Sequence, residues 1–210
     1  MPAGCDVSVT GHPPDRAGVA PPAGRDDAVP DIPDDGVPGN LDDAVPDGRT
    51  AYLRLRRLAD LHGADYRLIA HAPEGRTEAA SALRGHALAQ SAKSLVVAAR
   101  PTKRTCRYVL AVVPGDRRVD LGRIAELAGS RKAGFAARDT AERLAGSVSG
   151  SIIPFSFHPE LELIVDEDLL RHEVLYFNAA RLDLSMALPT DDYVRMARPR
   201  TARISEAPAG

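Results

Sequence analysis

Residues 92–99 read Ala92-Lys93-Ser94-Leu95-Val96-Val97-Ala98-Ala99. From Ser94 onward the run is apolar and rich in β-branched residues, which predicts a buried strand over 94–99. Tyr108-Val109-Leu110-Ala111-Val112-Val113 repeats the pattern. The polar stretch 100–107 between them reads as a hairpin connection. These are the two strongest strands in the chain, and they place a sheet at its centre.

Outward from this pair, short elements of both kinds follow one another. Toward the N-terminus, Thr50 can cap a helix over 50–62, with Leu53, Leu55, Leu58 and Leu61 as its apolar contacts and Gly63 as its stop. A strand over 66–70, a helix over 77–83 that breaks at Gly85, and a helical turn over 88–92 lead to Lys93. Toward the C-terminus, Pro114-Gly115-Asp116 is a turn. Asp120 caps a helix over 121–128, and Asp139 or Thr140 caps another over 141–145. Strands are expected at 152–153, 161–165, 174–178 and 182–187. Thr190, Asp191 and Asp192 open a last helix to Ala197, since acidic residues suit a first turn. The folded body is expected over 50–197, and 198–210 reads as a frayed, flexible end. The strands are short and lack regular strand–helix alternation, which argues against a doubly wound fold. The expected class is α/β in the mixed α+β sense: one domain, a mixed and mostly antiparallel sheet, short flanking helices.

Composition splits the chain unevenly. Residues 1–48 hold ten Asp against two Arg, with no Lys or Glu, a net charge of −8. The remainder holds 25 Lys and Arg against 19 Asp and Glu, a net +6. The acidic part repeats itself as DDAVPDIP (26–33), DDGVPGNL (34–41) and DDAVPDGR (42–49). Pro/Asp repeats with few large apolar side chains cannot offset chain entropy, so residues 1–48 read as a disordered acidic tail. A sharper reading makes this tail a competitor of RNA for the basic body. That body suits a polyanion, and equally an ordinary solvated surface. Cys5 and Cys106 form no CxxC pair and read as reduced thiols, which fits a cytoplasmic protein. No stretch approaches the length of a membrane span, and Met1-Pro2-Ala3-Gly4-Cys5-Asp6 does not open a secretory signal. No membrane partner is expected.

Lys93 is the first candidate for chemistry. A lysine at the mouth of an apolar strand either snorkels to solvent or aims a cation into a pocket, where it would stabilise charge on a carbonyl oxygen. Gly150-Ser151-Ile152-Ile153-Pro154-Phe155 is the second. Glycine permits close approach, proline fixes the exit, and successive N–H groups between them can form an anion-binding concavity. An ordinary turn is the plainer reading. His71, in His71-Ala72-Pro73, is a substrate contact or a structural histidine. Arg76, Arg117 and Arg118 are phosphate contacts or solvated charges. Asp166 lines a pocket or makes a turn. GxSxG, HExxH, P-loop and GxGxxG patterns are absent from the sequence, and its histidines lack metal spacing.

Glu74-Gly75-Arg76-Thr77-Glu78, the lysine-bearing strand and the Gly150 loop resemble the active-site elements of the YbaK-type aminoacyl-tRNA editing domains. That family includes the editing insertion of bacterial prolyl-tRNA synthetases and its free-standing relatives. The resemblance covers residues 64–197. It implies a free-standing aminoacyl-tRNA deacylase that hydrolyses the ester of mischarged tRNA. Lys93 matches the family's catalytic lysine, and Gly150 opens its Gly-x-x-x-Pro signature. The resemblance further implies substrate contacts at His71, Ser151, Ile152, Ile153, Pro154 and Asp166, and tRNA contacts at Arg76, Arg117 and Arg118. It implies no metal and no cofactor. Mischarged tRNA is the expected partner, an aminoacyl-tRNA synthetase a further candidate, and DNA is not expected. In the turn Asn178-Ala179-Ala180-Arg181, relatives usually carry glycine where this chain has Ala180. Two other classes stay open: a non-catalytic tRNA-binding module on the same fold, and a hydrolase of small esters.

Overall fold

The computed structural model describes residues 48–102 and 104–206. The acidic repeats and Cys5 lie outside the described residues. Among the described residues eight strands and five α-helices are formed. Helix α1 (Arg49–Leu61) precedes β1 (Arg67–Ala70) and α2 (Thr77–Arg84). A 3-10 turn at Leu88–Gln90 leads into β2 (Ala92–Ala99), which turns back as β3 (Arg107–Pro114). Then come α3 (Leu121–Leu127), β4 (Ala133–Phe135), α4 (Arg138–Ala145) and β5 (Leu161–Asp166). The chain closes with β6 (Val174–Asn178), β7 (Leu184–Pro189), α5 (Thr190–Ala197) and β8 (Arg200–Ala202).

The expected single sheet is two. β1, β7 and β6 make a three-stranded antiparallel sheet in the order β1-β7-β6. The larger sheet runs β4-β2-β3-β5-β8. Its β2 pairs are antiparallel, whereas β3–β5 and β5–β8 are parallel. A parallel pair needs a long crossover, and α3, β4 and α4 supply it between β3 and β5. One bridge, Ser91 to Tyr176, stitches the two sheets at the start of β2.

The continuous apolar runs of β2 and β3 follow from burial on both faces. Val96, Leu110, Val112 and Val165 face a core shared with α1, α4, α5 and the smaller sheet. Val97, Val109, Ala111, Val113 and Ile164 face a second cluster with Ile124 and Ile204. On α1 the buried stripe is Ala51, Tyr52, Leu55 and Ala59, while Leu61 is 74% exposed. Asp120 caps α3 as expected, accepting from the Arg123 N–H at 2.8 Å. α4 begins earlier than expected, so Asp139 and Thr140 sit in its first turn. Ile152 and Ile153 form no strand.

The frayed end expected over 198–210 is overturned as far as Glu206. β8 pairs with β5, Ser205 bridges Val119, and Ile204 is fully buried. The terminus is held because buried Asp166 accepts the N–H groups of Ile204 and Ser205, each at 2.8 Å. Ala180 adopts φ 59, the left-handed conformation that glycine would take without a penalty. For alanine that costs about 1–2 kcal/mol, partly offset by burying its methyl in the main core.

If the C-terminal segment is part of the fold, Ile204→Ala should cost about 2–5 kcal/mol. Urea unfolding checks this, and a midpoint equal to wild type would mean that the segment adds nothing.

Candidate active site

The seam between the two sheets encloses a cavity of about 180 Å³. β2 contributes Lys93, Ser94 and Leu95, β6 contributes Tyr176, Phe177 and Asn178, and α2 contributes Thr77, Ala80 and Arg84. Gly75, Gly150 and Ile152 close it from two loops. Among the described residues no carboxylate and no imidazole lines it.

Those two loops meet backbone to backbone. Gly150 has φ 91, and a β-carbon there would stand 2.8 Å from Gly75 Cα and 3.0 Å from its carbonyl oxygen. The Asn178 side-chain amide donates to the Glu74 carbonyl at 2.8 Å and to the Gly150 carbonyl at 2.9 Å. Its own oxygen accepts from Ser185 Oγ at 3.0 Å. One carboxamide thus holds both loops and is itself held by β7. The Ser151 N–H is spent on Val148, as is its hydroxyl. The N–H groups of Gly150 and Ile152 make no hydrogen bond among the described residues. They are open to water or to a ligand oxygen.

Lys93 is half-buried, and its ammonium donates to the carbonyls of Gly115, at 3.0 Å, and Arg117. Loss of hydration lowers its pKa from the ordinary lysine value; the Asp116 and Glu78 charges oppose that shift and Arg118 adds to it. An ammonium has three donors, so one remains beyond the two carbonyls. Arg84 is the second cation. Burial pushes its pKa down to about 10, so it stays charged at neutral pH. Among the described residues its partners are hydroxyls alone, Ser185 at 3.1 Å and Ser91 at 3.2 Å. Ser91 in turn shares a 2.7 Å bond with Ser81. Two polar atoms of the cavity wall, Arg84 Nε and Ser94 Oγ, are buried without a partner. Tyr176 is backed by His86, whose ring stacks on it at 3.8 Å between centroids.

Of the residues singled out in the sequence, Lys93, Gly150 and Ile152 line the cavity. Ser151 and Ile153 are buried behind it, and Pro154 offers its carbonyl to the Tyr193 hydroxyl at 2.8 Å. His71 also lies behind the wall, its Nε2 2.7 Å from Ser185 Oγ and its Nδ1 2.8 Å from the Ala72 carbonyl. This pair is no nucleophile dyad, because Ser185 is fully buried and already meets Asn178 and Arg84. Asp166 does not line the cavity; it anchors the C-terminal segment. Arg76 is exposed beside Glu74. Arg117 is held by Asp116 and Asp168, and Arg118 is exposed. Sequence reasoning missed Arg84, Ser94, Tyr176, Asn178 and Ser185. A signal existed for Asn178 alone: an amide ending an apolar strand must find partners when buried. Among the described residues no cluster of His, Cys, Asp or Glu is placed to hold a metal.

The chain matches the aminoacyl-tRNA editing domain model over residues 71–196. It belongs to the aminoacyl-tRNA editing domain family. It is 40% identical over 153 residues to the Escherichia coli (strain K12) multifunctional Ser/Thr-tRNA deacylase ProXp-y, covering 72% of this chain and 91% of that protein. Among solved structures it resembles a hypothetical protein, APE2540, with a TM-score of 0.65 at 24% identity, covering 73% of this chain and 99% of that one. It also resembles a candidate trans-editing enzyme for prolyl tRNA synthetase, with a TM-score of 0.63 at 20% identity, covering 75% and 98%. Likeness at that identity speaks for the fold.

Gly150→Ala should force the two loops apart and abolish ligand binding in the cavity. Gly75→Ala should be milder, since its added carbon would meet Leu182 Cδ2 at 3.3 Å and Gly150 Cα at 3.4 Å. Activity and melting temperature of both variants check the ranking, which fails if Gly75→Ala is the more damaging.

Proposed function

We propose that the chain is a trans-acting deacylase that hydrolyses the ester between tRNA and a small, hydroxyl-bearing amino acid. The observation that carries this is a cavity with two cations, two unspent backbone N–H groups and no lining carboxylate. Such a wall suits a neutral ester whose carbonyl oxygen gathers negative charge.

In the reaction, water adds to the ester carbonyl carbon. The oxygen that becomes negative is held by Lys93 and by the N–H groups of Gly150 and Ile152. The C–O bond to the ribose then breaks, and the ribose oxygen leaves with a proton that came from the water. The cavity wall supplies no base, so the substrate's neighbouring ribose hydroxyl relays that proton. Every group the step needs belongs to the chain or to the substrate.

The cavity volume favours a small side chain. The Escherichia coli relative bears the name of a Ser/Thr-tRNA deacylase, which agrees. The need is physical: a synthetase pocket separates similar small side chains by only about 1–3 kcal/mol, so a second site clears the errors. Prolyl-tRNA synthetase, named with one structural neighbour, is the partner to test first. A mischarged-tRNA substrate favours the cytoplasm as the place of work.

A panel of tRNAs mischarged with Ser, Thr, Ala, Cys or Pro tests the reading. Ser or Thr esters should be cleaved fastest, and Lys93→Ala should lower kcat by about 10²–10³-fold. A Lys93→Ala variant with full activity would remove Lys93 from the mechanism.

The pH dependence follows from the same group. Burial disfavours the ammonium, so Lys93 loses its proton at a lower pH than an ordinary lysine. After subtraction of spontaneous hydrolysis, kcat should be sustained while Lys93 is protonated and fall as pH rises through its lowered value. The alkaline limb of the kcat profile checks this; a limb at or above the ordinary lysine value of 10.5 would contradict it.

A further inference from the structure

A second concavity, about 610 Å³, opens at the other end of the β2–β3 pair. Its floor is Ala98, Tyr108 and the small residues around β4. Arg100, Arg131 and Lys132 stand at its rim, all exposed and without an ion pair among the described residues. No carboxylate lines it among the described residues. Phe135 lines it too and is 60% exposed on the edge strand of the larger sheet. An apolar ring left in water beside unpaired cations is costly for folding alone, and it is the combination that stacks a base and neutralises phosphates.

The groove and the active cavity lie toward opposite ends of β2. Ser94 lines the cavity and Ala98 the groove, and between the two Val96 is buried in the main core. Four residues separate them, about 13 Å along the strand. At about 3.4 Å per stacked nucleotide, that distance spans roughly four nucleotides. A strand whose 3′ ester sits at Lys93 needs at least that many nucleotides to pass over the surface, outside the buried Val96, and bring its phosphates to Arg131 and Lys132.

We propose that this groove docks the sugar–phosphate backbone of the substrate tRNA next to its 3′ end, with Arg100, Arg131 and Lys132 on phosphates and Phe135 against a base or ribose. The proposal rests on the deacylase reading. It puts the RNA contacts on the β4 edge and away from Arg117, which is tied to Asp116 and Asp168.

The test compares two substrates in the full chain: mischarged tRNA, and an aminoacylated cytidyl-adenosine too short to reach the groove. With Arg131→Glu/Lys132→Glu, KM for mischarged tRNA should rise at least about tenfold at low salt, with kcat held. The salt dependence of KM should flatten by about two units of log–log slope. Hydrolysis of the short ester should not change. Phe135→Ala should raise KM for tRNA alone. An unchanged KM for tRNA, or an equal loss on both substrates, would overturn the proposal.

Cys106 lies in the groove and is an exposed free thiol, so it reports occupancy without catalysis. In a Cys5→Ser background, uncharged tRNA should slow its alkylation by iodoacetamide. If the wild type cleaves neither ester, the deacylase reading falls and this protection alone decides the groove; alkylation indifferent to tRNA overturns it. Protection that needs no RNA and disappears when residues 1–47 are deleted would assign the groove to the chain's own acidic segment and equally overturn it.

Discussion

The Asn178 carboxamide is the contact on which the site depends. Its two N–H groups bind carbonyls from residues 74 and 150, which are far apart in sequence and have no ladder between them. The amide is buried, so losing one partner would leave a desolvated donor or acceptor, a cost of about 1–3 kcal/mol. That asymmetry makes the arrangement close to all-or-none. The Ser185 hydroxyl extends it by donating to the amide oxygen, and His71 and Arg84 both meet that hydroxyl. The Gly75–Gly150 contact is then a consequence: once both carbonyls are fixed on one amide, there is no room between the loops for a β-carbon.

The second constraint is electrostatic. A cavity with two half-buried cations and no acid in its wall is costly to fold, because desolvation works against each charge. Arg84 shows that cost most plainly in its lowered pKa and its hydroxyl-only partners. Carboxylates would relieve it but would also quench the field on a developing oxyanion. The protein instead satisfies its cations with carbonyl and hydroxyl oxygens, which hold the charge in place without neutralising it.

Much of the fold was legible because its strands are buried on both faces. Residues 94–99 and 108–113 could only be strands once their apolar runs were bounded by polar stretches. β4 and β8 were not legible: Ala-Gly-Phe and Arg-Thr-Ala carry no periodicity, and only the edges they cap make them strands. Ile152 and Ile153 have strand-like side chains, but their backbone forms no ladder, and no local signal separates those outcomes. In the site, Lys93 was legible because an ionic residue beside an apolar run demands an explanation. Arg84 was not, since a basic residue at a helix C-terminus already has one in the helix dipole. Ser185 was unreadable because its partners lie at 71, 84 and 178. The positive φ at Ala180 could be anticipated from the resemblance, and the turn it makes sets the Ala180 carbonyl against Gly48, where a β-carbon would not fit.

The segment beyond α5 connects these two constraints. Asp166 fixes the N–H groups of Ile204 and Ser205, and the Glu206 N–H then reaches the Arg118 carbonyl at 2.9 Å. The Asp120 N–H donates to the Ile204 carbonyl at 2.8 Å, and the Arg117 guanidinium reaches the Glu206 carbonyl at 3.5 Å. The turn after β3 is therefore pinned from outside by the terminal strap. Its inner side presents the Gly115 and Arg117 carbonyls that receive the Lys93 ammonium. A flexible lysine has four rotatable bonds and gains reach at the expense of direction. Two fixed carbonyls remove that freedom, leaving its last donor one direction in which to point. In the proposed reaction Asp166 and Arg117 bear on the site through the aim of Lys93, and neither needs to touch the substrate to do so.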